Sequence, residues 1–409
     1  MKNSLLCLLG CSLSLVSCSR DEDSSTPNTL VTGPPVETTA ANTTYQPAFT
    51  GQTRIGSVTT AASSYRATVV TSGLTSPWGV VSLPDGRLLV TEKAGQMRLV
   101  TTAGVVSAPI TGLPAVNAAG QGGLLGLCLD PDFATNRMVY WSFSEARPGG
   151  NLTAIGKGRL ANDERTIEAA TVIYRAEPAY AGTLHYGGRV VFDRTGNLVV
   201  STGERSDLAT RPQAQVASSA LGKIIRITKT GQPAPGNPTF AQAGARPELY
   251  SIGHRNPQGL AIHPTTGEVW QSEHGPRGGD ELNRLRAGAN YGWPTITYGI
   301  EYGGQPIGTP PIQQSTGLEQ PVYYWDPVVS PSGMTFYSGN RIAERQNNLF
   351  IGALSGQHLL RLVFDNNRVV GEERLLASEG QRFRDVTQGP DGALYTVTDQ
   401  GRLYRIDRP

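Results

Sequence analysis

Residues 259–275 read GLAIHPTTGEVWQSEHG, and this stretch decides the fold that the sequence predicts. Apolar residues alternate with polar ones on either side of the Pro-Thr-Thr-Gly segment at 264–267, which is the pattern of two antiparallel strands joined by a turn. The loops that flank such a hairpin emerge at one end of a sheet, where binding residues commonly lie on a rigid scaffold.

The same pattern recurs along the chain from Ser63 onward. Units of roughly 40 to 70 residues, each with several short strands, are typical of β-propellers. The sequence therefore predicts an all-β fold, a six-bladed β-propeller with four-stranded antiparallel blades. The six copies are GVVSLPDGRLLVTEKAGQMRLV from Gly79, GLCLDPDFATNRMVYWSFSE from Gly126, GRVVFDRTGNLVVSTGER from Gly188, GLAIHPTTGEVWQSEHG from Gly259, GMTFYSGN with NNLFIGALSGQHLLRLVFD from Gly333, and DVTQGPDGALYTVTDQGRLYRI from Asp385.

Apolar residues of these hairpins are predicted to pack between blades, because the two halves of a hairpin bury alternate residues. Composition agrees: 49 glycines and 28 prolines suit many short strands joined by turns. The net charge of +2, with both signs interspersed, gives no basic surface for nucleic acid. The residues predicted between blades are Val80, Leu88, Val90, Leu394, Tyr395 and Val397.

The N-terminal residues resemble a bacterial lipoprotein signal. Lys2 is followed by an apolar run too short to cross a bilayer, and small residues precede Cys18. The resemblance implies a signal at 1–18, a lipidated Cys18 and an exported lipoprotein, periplasmic or anchored to the outer membrane or cell surface. Residues 19–62, rich in Ser, Thr and Pro, predict a flexible tether, and residues 63–409 the propeller domain.

Polar residues stand at equivalent places, just before the first strand of successive repeats. Equivalent loops of a propeller surround one end of its channel, so these residues predict one pocket for an anionic planar ligand. Taken singly, His185 also suits a structural histidine, and the Arg382/Arg384 pair a solvated ion-pair edge. The residues are Gln121, His185, Arg255 with Asn256, and Arg382 with Arg384.

Common signatures of other chemistries are missing from the sequence. The run Gly120–Gly126 misses the dinucleotide G-x-G-x-x-G spacing by one residue and leads into a strand. The chain also contains no P-loop, H-E-x-x-H or G-x-S-x-G motif and no zinc-ligand spacing. These observations weaken nucleotide-binding and hydrolase interpretations.

Nine blocks in order resemble the pyrroloquinoline quinone (PQQ)-dependent soluble aldose sugar dehydrogenases, the glucose/sorbosone dehydrogenase family. The resemblance covers residues 66–407 and implies an enzyme that oxidises the anomeric carbon of aldoses to lactones by hydride transfer to PQQ, with electrons leaving to a quinone, cytochrome or dye and not to NAD. The blocks are GQGGLLGLCLDPDF, HYGGRV, LGKIIRI, IGHRNPQGLA, SEHGPRGGDELN, NYGWP, SPSGM, FIGAL and RFRDVTQGPDGALY.

The resemblance also implies site roles. His185 matches the base that takes the proton of the anomeric hydroxyl, and Arg255 the cation at the reacting carbonyl oxygen. Further cofactor contacts match Asn256, Gln121, Arg382 and Arg384. A catalytic Ca²⁺ would take main-chain carbonyls of Gly275 and Pro276, and a second, structural Ca²⁺ would take Glu281, Tyr291 (main chain), Glu301 and Glu319.

Two positions depart from the family pattern. Serine occupies position 355, where the family often has a lysine that contacts the cofactor, and Leu184 replaces an acidic residue that precedes the histidine in some members. Two alternatives stay open: a propeller that binds glycans or proteins without catalysis, and a calcium-dependent lactonase-type propeller. Monomer and homodimer are both compatible with the sequence.

Overall fold

The computed structural model describes Met1, residues 32–58 and residues 64–409, and the hairpin around residue 264 is formed as predicted. The predicted signal sequence from residue 2 and Cys18 lie outside the described residues. Helical structure within them is confined to α1 (Phe133–Asn136) and three short 3-10 turns at Arg211–Gln215, Ala343–Arg345 and Ala377–Glu379.

Six sheets form the blades of the predicted propeller. Blade 1 holds β4 (Pro77–Ser82), β5 (Leu88–Glu92) and β6 (Gln96–Val100). Blade 2 holds β7 (Leu124–Leu129), β8 (Met138–Arg147), β9 (Gly150–Leu160) and β10 (Ile167–Arg175). Blade 3 holds β11 (Val190–Phe192), β12 (Leu198–Thr202), β13 (Lys223–Ile227) and β14 (Leu249–Ile252).

The second half of the chain continues this order. Blade 4 holds β15 (Pro257–Ile262), β16 (Val269–Glu273), β17 (Asp280–Arg284) and β18 (Tyr323–Trp325). Blade 5 holds β19 (Pro331–Phe336), β20 (Leu349–Ala353), β21 (His358–Asp365) and β22 (Arg368–Leu375), extended by β2 (Gly56–Val58) and β1 (Thr32–Pro35). Blade 6 holds β23 (Phe383–Gln388), β24 (Leu394–Thr398), β25 (Leu403–Asp407) and β3 (Arg66–Thr71).

Two blades depart from a plain four-stranded sheet. Blade 1 is a three-stranded sheet whose fourth position is filled by single bridges from Val106 and Ile110 to β6. Blade 6 closes the ring because β3, near the start of the propeller, pairs antiparallel with β25 at the end of the chain. This pairing joins the two ends of the domain and leaves no open gap between the first and last blades.

Apolar side chains fill the spaces between blades, which confirms the predicted packing. Val80, Val90 and Val397 lie in one buried cluster that joins blade 6 to blade 1, and Leu394 lies in the cluster between blades 5 and 6. All six predicted residues are at most 2% exposed. Alternation of period two along each hairpin thus identified core positions correctly, because each strand presents alternate residues to the neighbouring blade.

A buried ion pair ties the innermost strands together. Arg189 donates from Nη1 to Asp385 Oδ2 at 2.7 Å, joining blades 3 and 6, and from Nε to the carbonyl of Gln258 in blade 4 at 2.9 Å. Asp385 Oδ2 also accepts the main-chain N–H of Val80 in blade 1. Each blade places its first strand at the central channel, so this pair acts as a hub, with Gly333 of blade 5 packed directly against it.

The hub predicts a large effect of a small substitution. A Cβ at Gly333 would overlap Asp385 Oδ1 and approach Arg189 Nη2 to 2.7 Å. We expect Gly333→Ala to lower the free energy of unfolding by about 3–5 kcal/mol, because separating a buried ion pair leaves uncompensated charge. Thermal unfolding measures this effect. The matched control is Gly303→Ala, where a Cβ meets no atom within 4 Å; equal stability of the two variants would contradict the role of the hub.

Residues 32–58, part of the predicted tether over residues 19–62, form a strap on the outside of the propeller, where β2 pairs with the outer strand of blade 5. The carboxylate of Asp326 accepts bonds from the main-chain N–H groups and side chains of both Asn42 and Thr43, at 2.8–3.0 Å. Gln52 is fully buried and donates to the carbonyl of Pro321 at 2.9 Å. Polar bonds therefore hold the strap against the propeller without the apolar periodicity of a core strand.

None of the helices within the described residues is long and apolar enough to span a bilayer.

Candidate functional site

A cavity of about 340 Å³ opens where the inner strands begin, at the end of the propeller opposite the hairpin turns. Its wall collects loops from several blades, as the repeat positions predicted. Three of the predicted residues, Gln121, Arg382 and Arg384, line it directly. The other lining residues are Trp78, Lys93, Gly120, Gln258, His274, Ser330, Leu354 and Asp399.

His185 is fixed beside this cavity by both its main chain and its ring. Its N–H donates to Gln121 Oε1 at 2.9 Å, which links it to the cavity wall, and its φ of +46° is a conformation that few non-glycine residues adopt. The ring Nδ1 lies 2.6 Å from Glu204 Oε1. Because Nδ1 is engaged by the carboxyl group, Nε2 is the ring nitrogen available to a substrate.

Glu204, the ring partner of His185, is a residue of this site that the sequence analysis missed. It follows β12, which pairs with the strand after His185, so the two residues meet at one end of the same hairpin. Leu184, at the position where some family members carry an acid, is 41% exposed and leaves the carboxyl role to Glu204. The sequence did carry a signal for Glu204, namely an acidic residue shortly after the second strand of a repeat, as in STGER at 201–205.

Burial and neighbouring cations set the charge of this pair. Burial raises the pKa of Glu204 to about 7, against the opposing effect of Arg255. The pKa of His185 is well below its usual value, chiefly because of burial and then because of Arg255. The imidazole is therefore neutral near neutral pH. Once Glu204 is ionised, its carboxylate can accept a hydrogen bond from Nδ1–H, which leaves Nε2 free to accept a proton.

Arg255 lies close by, held by main-chain oxygens and aromatic rings. Its Nη1 donates to the carbonyl of Gly275 at 2.6 Å, and its guanidinium carbon lies 5.2 Å from the centre of the Trp293 ring. Its Nη2 donates to the hydroxyl of Tyr302 at 3.2 Å. Arg255 Nε is buried and has no hydrogen-bond partner in the described parts of the chain.

Asn256 and His274 carry two further buried polar atoms without partners. Asn256 accepts the N–H of Gly187 at its Oδ1, but its Nδ2 has no partner among residues 32–58 and 64–409. The same holds for Nε2 of His274, a cavity residue that the sequence reasoning did not select. Unpaired buried polar atoms are costly, so these two and Arg255 Nε mark a place for a polar ligand.

Arg382 and Arg384 share one carboxylate, as the ion-pair alternative allowed, and still line the cavity. Both donate to Asp399, at 2.8–2.9 Å. Arg384 also donates to Gln258 Oε1 at 2.8 Å. Asp399 thus holds the two guanidinium groups in place while offsetting part of their charge. The sequence pattern placed the arginines at the site but did not identify their acidic partner.

The Gly275–Pro276 loop lies directly against Arg255. Gly275 donates its N–H to Asp280 Oδ1 at 2.7 Å, and Asp280 Oδ2 accepts the N–H groups of Val329 and Ser330. Burial raises the pKa of Asp280 to about 7. These bonds fix the loop so that its Gly275 carbonyl accepts a hydrogen bond from Arg255.

The residues predicted for a second calcium are not assembled into a carboxylate cluster. Glu301 pairs with Arg211, and Glu319 pairs with Arg286. Glu281 is hydrogen-bonded to Asn283, and the side chain of Tyr291 donates to the carbonyl of Arg284. Within the described residues, no group of three or more His, Cys, Asp or Glu is placed to hold a metal ion. A structural calcium at these positions stays a prediction from the resemblance.

A buried Ser-His-Glu chain supports Arg255 from behind. His254 Nε2 lies 2.8 Å from Ser251 Oγ, and its Nδ1 lies 3.0 Å from Glu273 Oε1. Glu273 Oε2 accepts the main-chain N–H of Arg255 at 2.6 Å. The His254 side chain is fully buried, so this chain has no access to substrate and positions Arg255.

This chain is similar in sequence and structure to known sugar dehydrogenases. A family model described as glucose/sorbosone dehydrogenase matches residues 74–405. An aldose sugar dehydrogenase of Escherichia coli (strain K12) is 41% identical over 342 residues, which are 83% of this chain and 91% of that protein. A crystal structure of a glucose dehydrogenase is 46% identical with a TM-score of 0.80, covering 84% of this chain and 99% of that one. The PQQ-bound form of an aldose sugar dehydrogenase from Streptomyces coelicolor is 31% identical with a TM-score of 0.70, covering 84% and 98%.

Proposed function

Because the chain belongs to the glucose/sorbosone dehydrogenase family and is a PQQ-dependent aldose dehydrogenase, we propose that it oxidises the anomeric carbon of aldoses to lactones with calcium beside the cofactor. Electrons then pass to an acceptor other than NAD. The observation that carries the proposal is the buried His185–Glu204 pair at 2.6 Å, set beside Arg255 and a cation-lined cavity.

The residues present fit PQQ, a planar ligand with three carboxylates. The cavity of about 340 Å³ is in the range of small-molecule sites. Arg382 and Arg384 offer forked donors to carboxylates, and Gln121 adds an amide at the same wall. Nearby, Arg255 Nε and Asn256 Nδ2 are donors that no described residue satisfies. These residues would hold the cofactor, which when bound supplies a carbonyl carbon that accepts the hydride of the sugar.

Three side chains of the protein, His185, Glu204 and Arg255, assist the transfer of proton and hydride. His185 Nε2 accepts the proton of the anomeric hydroxyl. Glu204 accepts a hydrogen bond from Nδ1–H and stabilises the imidazolium charge that results. Arg255 places positive charge where negative charge develops on the acceptor oxygen, which lowers the barrier without moving a proton. Trp293, stacked on Arg255, covers one side of the guanidinium and limits water there.

We propose that the catalytic calcium lies at the carbonyls of Gly275 and Pro276. Main-chain carbonyls suit Ca²⁺, and the cofactor's own carboxylates would supply the negative charge that this loop lacks. Such a site forms only when cofactor is present. We therefore expect Ca²⁺ to raise the activity of PQQ-loaded protein about a hundredfold over protein treated with chelator.

The control for this calcium effect is the thermal unfolding of the PQQ-free protein with and without Ca²⁺. We expect its Tm to be nearly unchanged by Ca²⁺, because no three or more His, Cys, Asp or Glu side chains of the described residues are placed to hold a metal ion and Glu301 and Glu319 already pair with arginines. A rise of several degrees on addition of Ca²⁺ alone would contradict this account and would reveal a protein-only metal site.

Reduction of a dye by purified protein with glucose and other aldoses tests the reaction itself. Activity that requires PQQ and Ca²⁺ together supports the proposal. Absence of activity together with absence of PQQ binding would favour the non-catalytic binding propeller, and lactone hydrolysis without PQQ would favour the lactonase. From the sequence alone, we also propose export and membrane attachment through a lipidated Cys18.

A further inference from the structure

Three cations of the described residues line the cavity, and one of them, Lys93, forms no ion pair there. Arg382 and Arg384 are both paired with Asp399. The Lys93 ammonium forms no ion pair with any residue in the described ranges. Its Nζ makes one hydrogen bond, to the carbonyl of Gly120 at 2.8 Å, which leaves two of its three donors unused.

The neighbourhood of Lys93 carries an excess of positive charge. The pKa of Lys93 is lowered, first by partial burial and then by Arg384, with Asp399 acting in the opposite direction. Asp399 is the only carboxylate on the cavity wall within the described residues, and it faces two arginines. This wall would therefore attract an anionic ligand.

At position 355 the chain instead presents hydroxyl groups. Ser355 Oγ lies 2.8 Å from Ser330 Oγ, and Ser330 lines the same cavity. Two hydroxyls offer hydrogen bonds but no charge, so this side of the cavity supplies weaker attraction to a carboxylate than a lysine would. The cavity thus has uncharged hydroxyl groups near Ser355 and, at Lys93, a cation without an ion-pair partner among the described residues.

We propose that Lys93 binds a carboxylate of PQQ and supplies the positive charge that is missing at Ser355. This inference rests on the proposed function, since PQQ is the ligand concerned. Lys93 is positioned by its main chain, whose N–H donates to Ser76 O and whose carbonyl accepts the N–H of Leu124, both at 3.1 Å. Substitution of the side chain leaves both of these bonds in place, so the fold is expected to survive it.

The test is an equilibrium titration of the purified apo-protein with PQQ, followed by the cofactor's absorbance in the presence of Ca²⁺. Lys93→Gln removes the charge and keeps a donor, and we expect its Kd for PQQ to rise about tenfold. Lys93→Arg keeps the charge and is expected to stay within about threefold of the parent. Adding Ser355→Lys to Lys93→Gln is expected to recover most of the lost affinity.

Salt dependence gives a readout that a merely structural change would not move. The affinity of the parent for PQQ should fall as salt is added, and the fall should be shallower for Lys93→Gln because one charge pair is gone. Equal Kd values and equal salt slopes for the parent and Lys93→Gln would overturn the role of Lys93 alone. Failure of the parent protein to bind PQQ would overturn the proposed function itself.

Discussion

Replacement of His185 by alanine is expected to lower kcat with aldoses about a thousandfold while PQQ still binds. The substitution removes Nε2, the nitrogen that accepts the substrate proton, but leaves Arg255, Arg382 and Arg384 to hold the cofactor. Because φ at position 185 is +46°, His185→Asn is the better second variant, since asparagine tolerates this backbone conformation and still lacks a suitable base. Steady-state dye reduction and PQQ titration together measure the two effects.

The matched control is His263→Ala. His263 lies at the hairpin turn of blade 4, at the end of the propeller away from the cavity, where its Nδ1 accepts the N–H groups of Thr265 and Thr266. Its loss should leave kcat within about twofold, since surface changes of this kind disturb the site little. Turnover of His185→Asn at the rate of the control would show that His185 is not the base.

Activity is expected to rise with pH through about 7, with Glu204 as the group responsible. The pKa of Glu204 is raised to about 7 by burial, so the carboxyl is protonated below that pH and ionised above it. Only the ionised form leaves the Nδ1 proton on His185 and Nε2 free. The proton-accepting state is therefore present above pH 7 and is lost as the pH falls, and kcat/KM should follow it.

Glu204→Gln separates this explanation from a general effect of pH. The amide still accepts a hydrogen bond from Nδ1 but carries no charge to stabilise the imidazolium, so we expect kcat to fall about a hundredfold. The rise near pH 7 should disappear as well. Glu268→Gln, at the hairpin turn beside His263, is the control and should keep the parent profile. A Glu204→Gln variant that retains the rise would assign it to another group.

The sequence allowed the propeller and much of the site to be predicted for a physical reason. Strand pairs bury alternate residues, so the six repeats revealed blades, and equivalent loops meet at one end of the channel. Gln121, Arg382 and Arg384 accordingly line one cavity, and His185 contacts Gln121.

The ion-pair partners of the site residues could not be predicted from the sequence pattern, because they depend on how distant segments pack together. Asp399 offsets part of the charge of two predicted arginines, and Arg211 pairs with Glu301, a predicted calcium ligand. The strap at residues 32–58 is held by polar bonds to Asp326. Such bonds require no apolar periodicity, so the sequence pattern did not indicate this contact. Glu204 could have been found, because it lies two residues after the strand that pairs with the one following His185.

One measurement tests the central claim most directly, namely that this site passes two electrons from a sugar to bound PQQ. Protein loaded with PQQ and Ca²⁺ is mixed with glucose or another aldose without oxygen or dye, and the cofactor's absorbance is followed in a stopped-flow instrument. The account predicts conversion of the oxidised spectrum to the reduced one at a rate that saturates with sugar and is about a thousandfold slower in His185→Asn. An unchanged oxidised spectrum with every aldose, in protein shown to have PQQ bound, would contradict it.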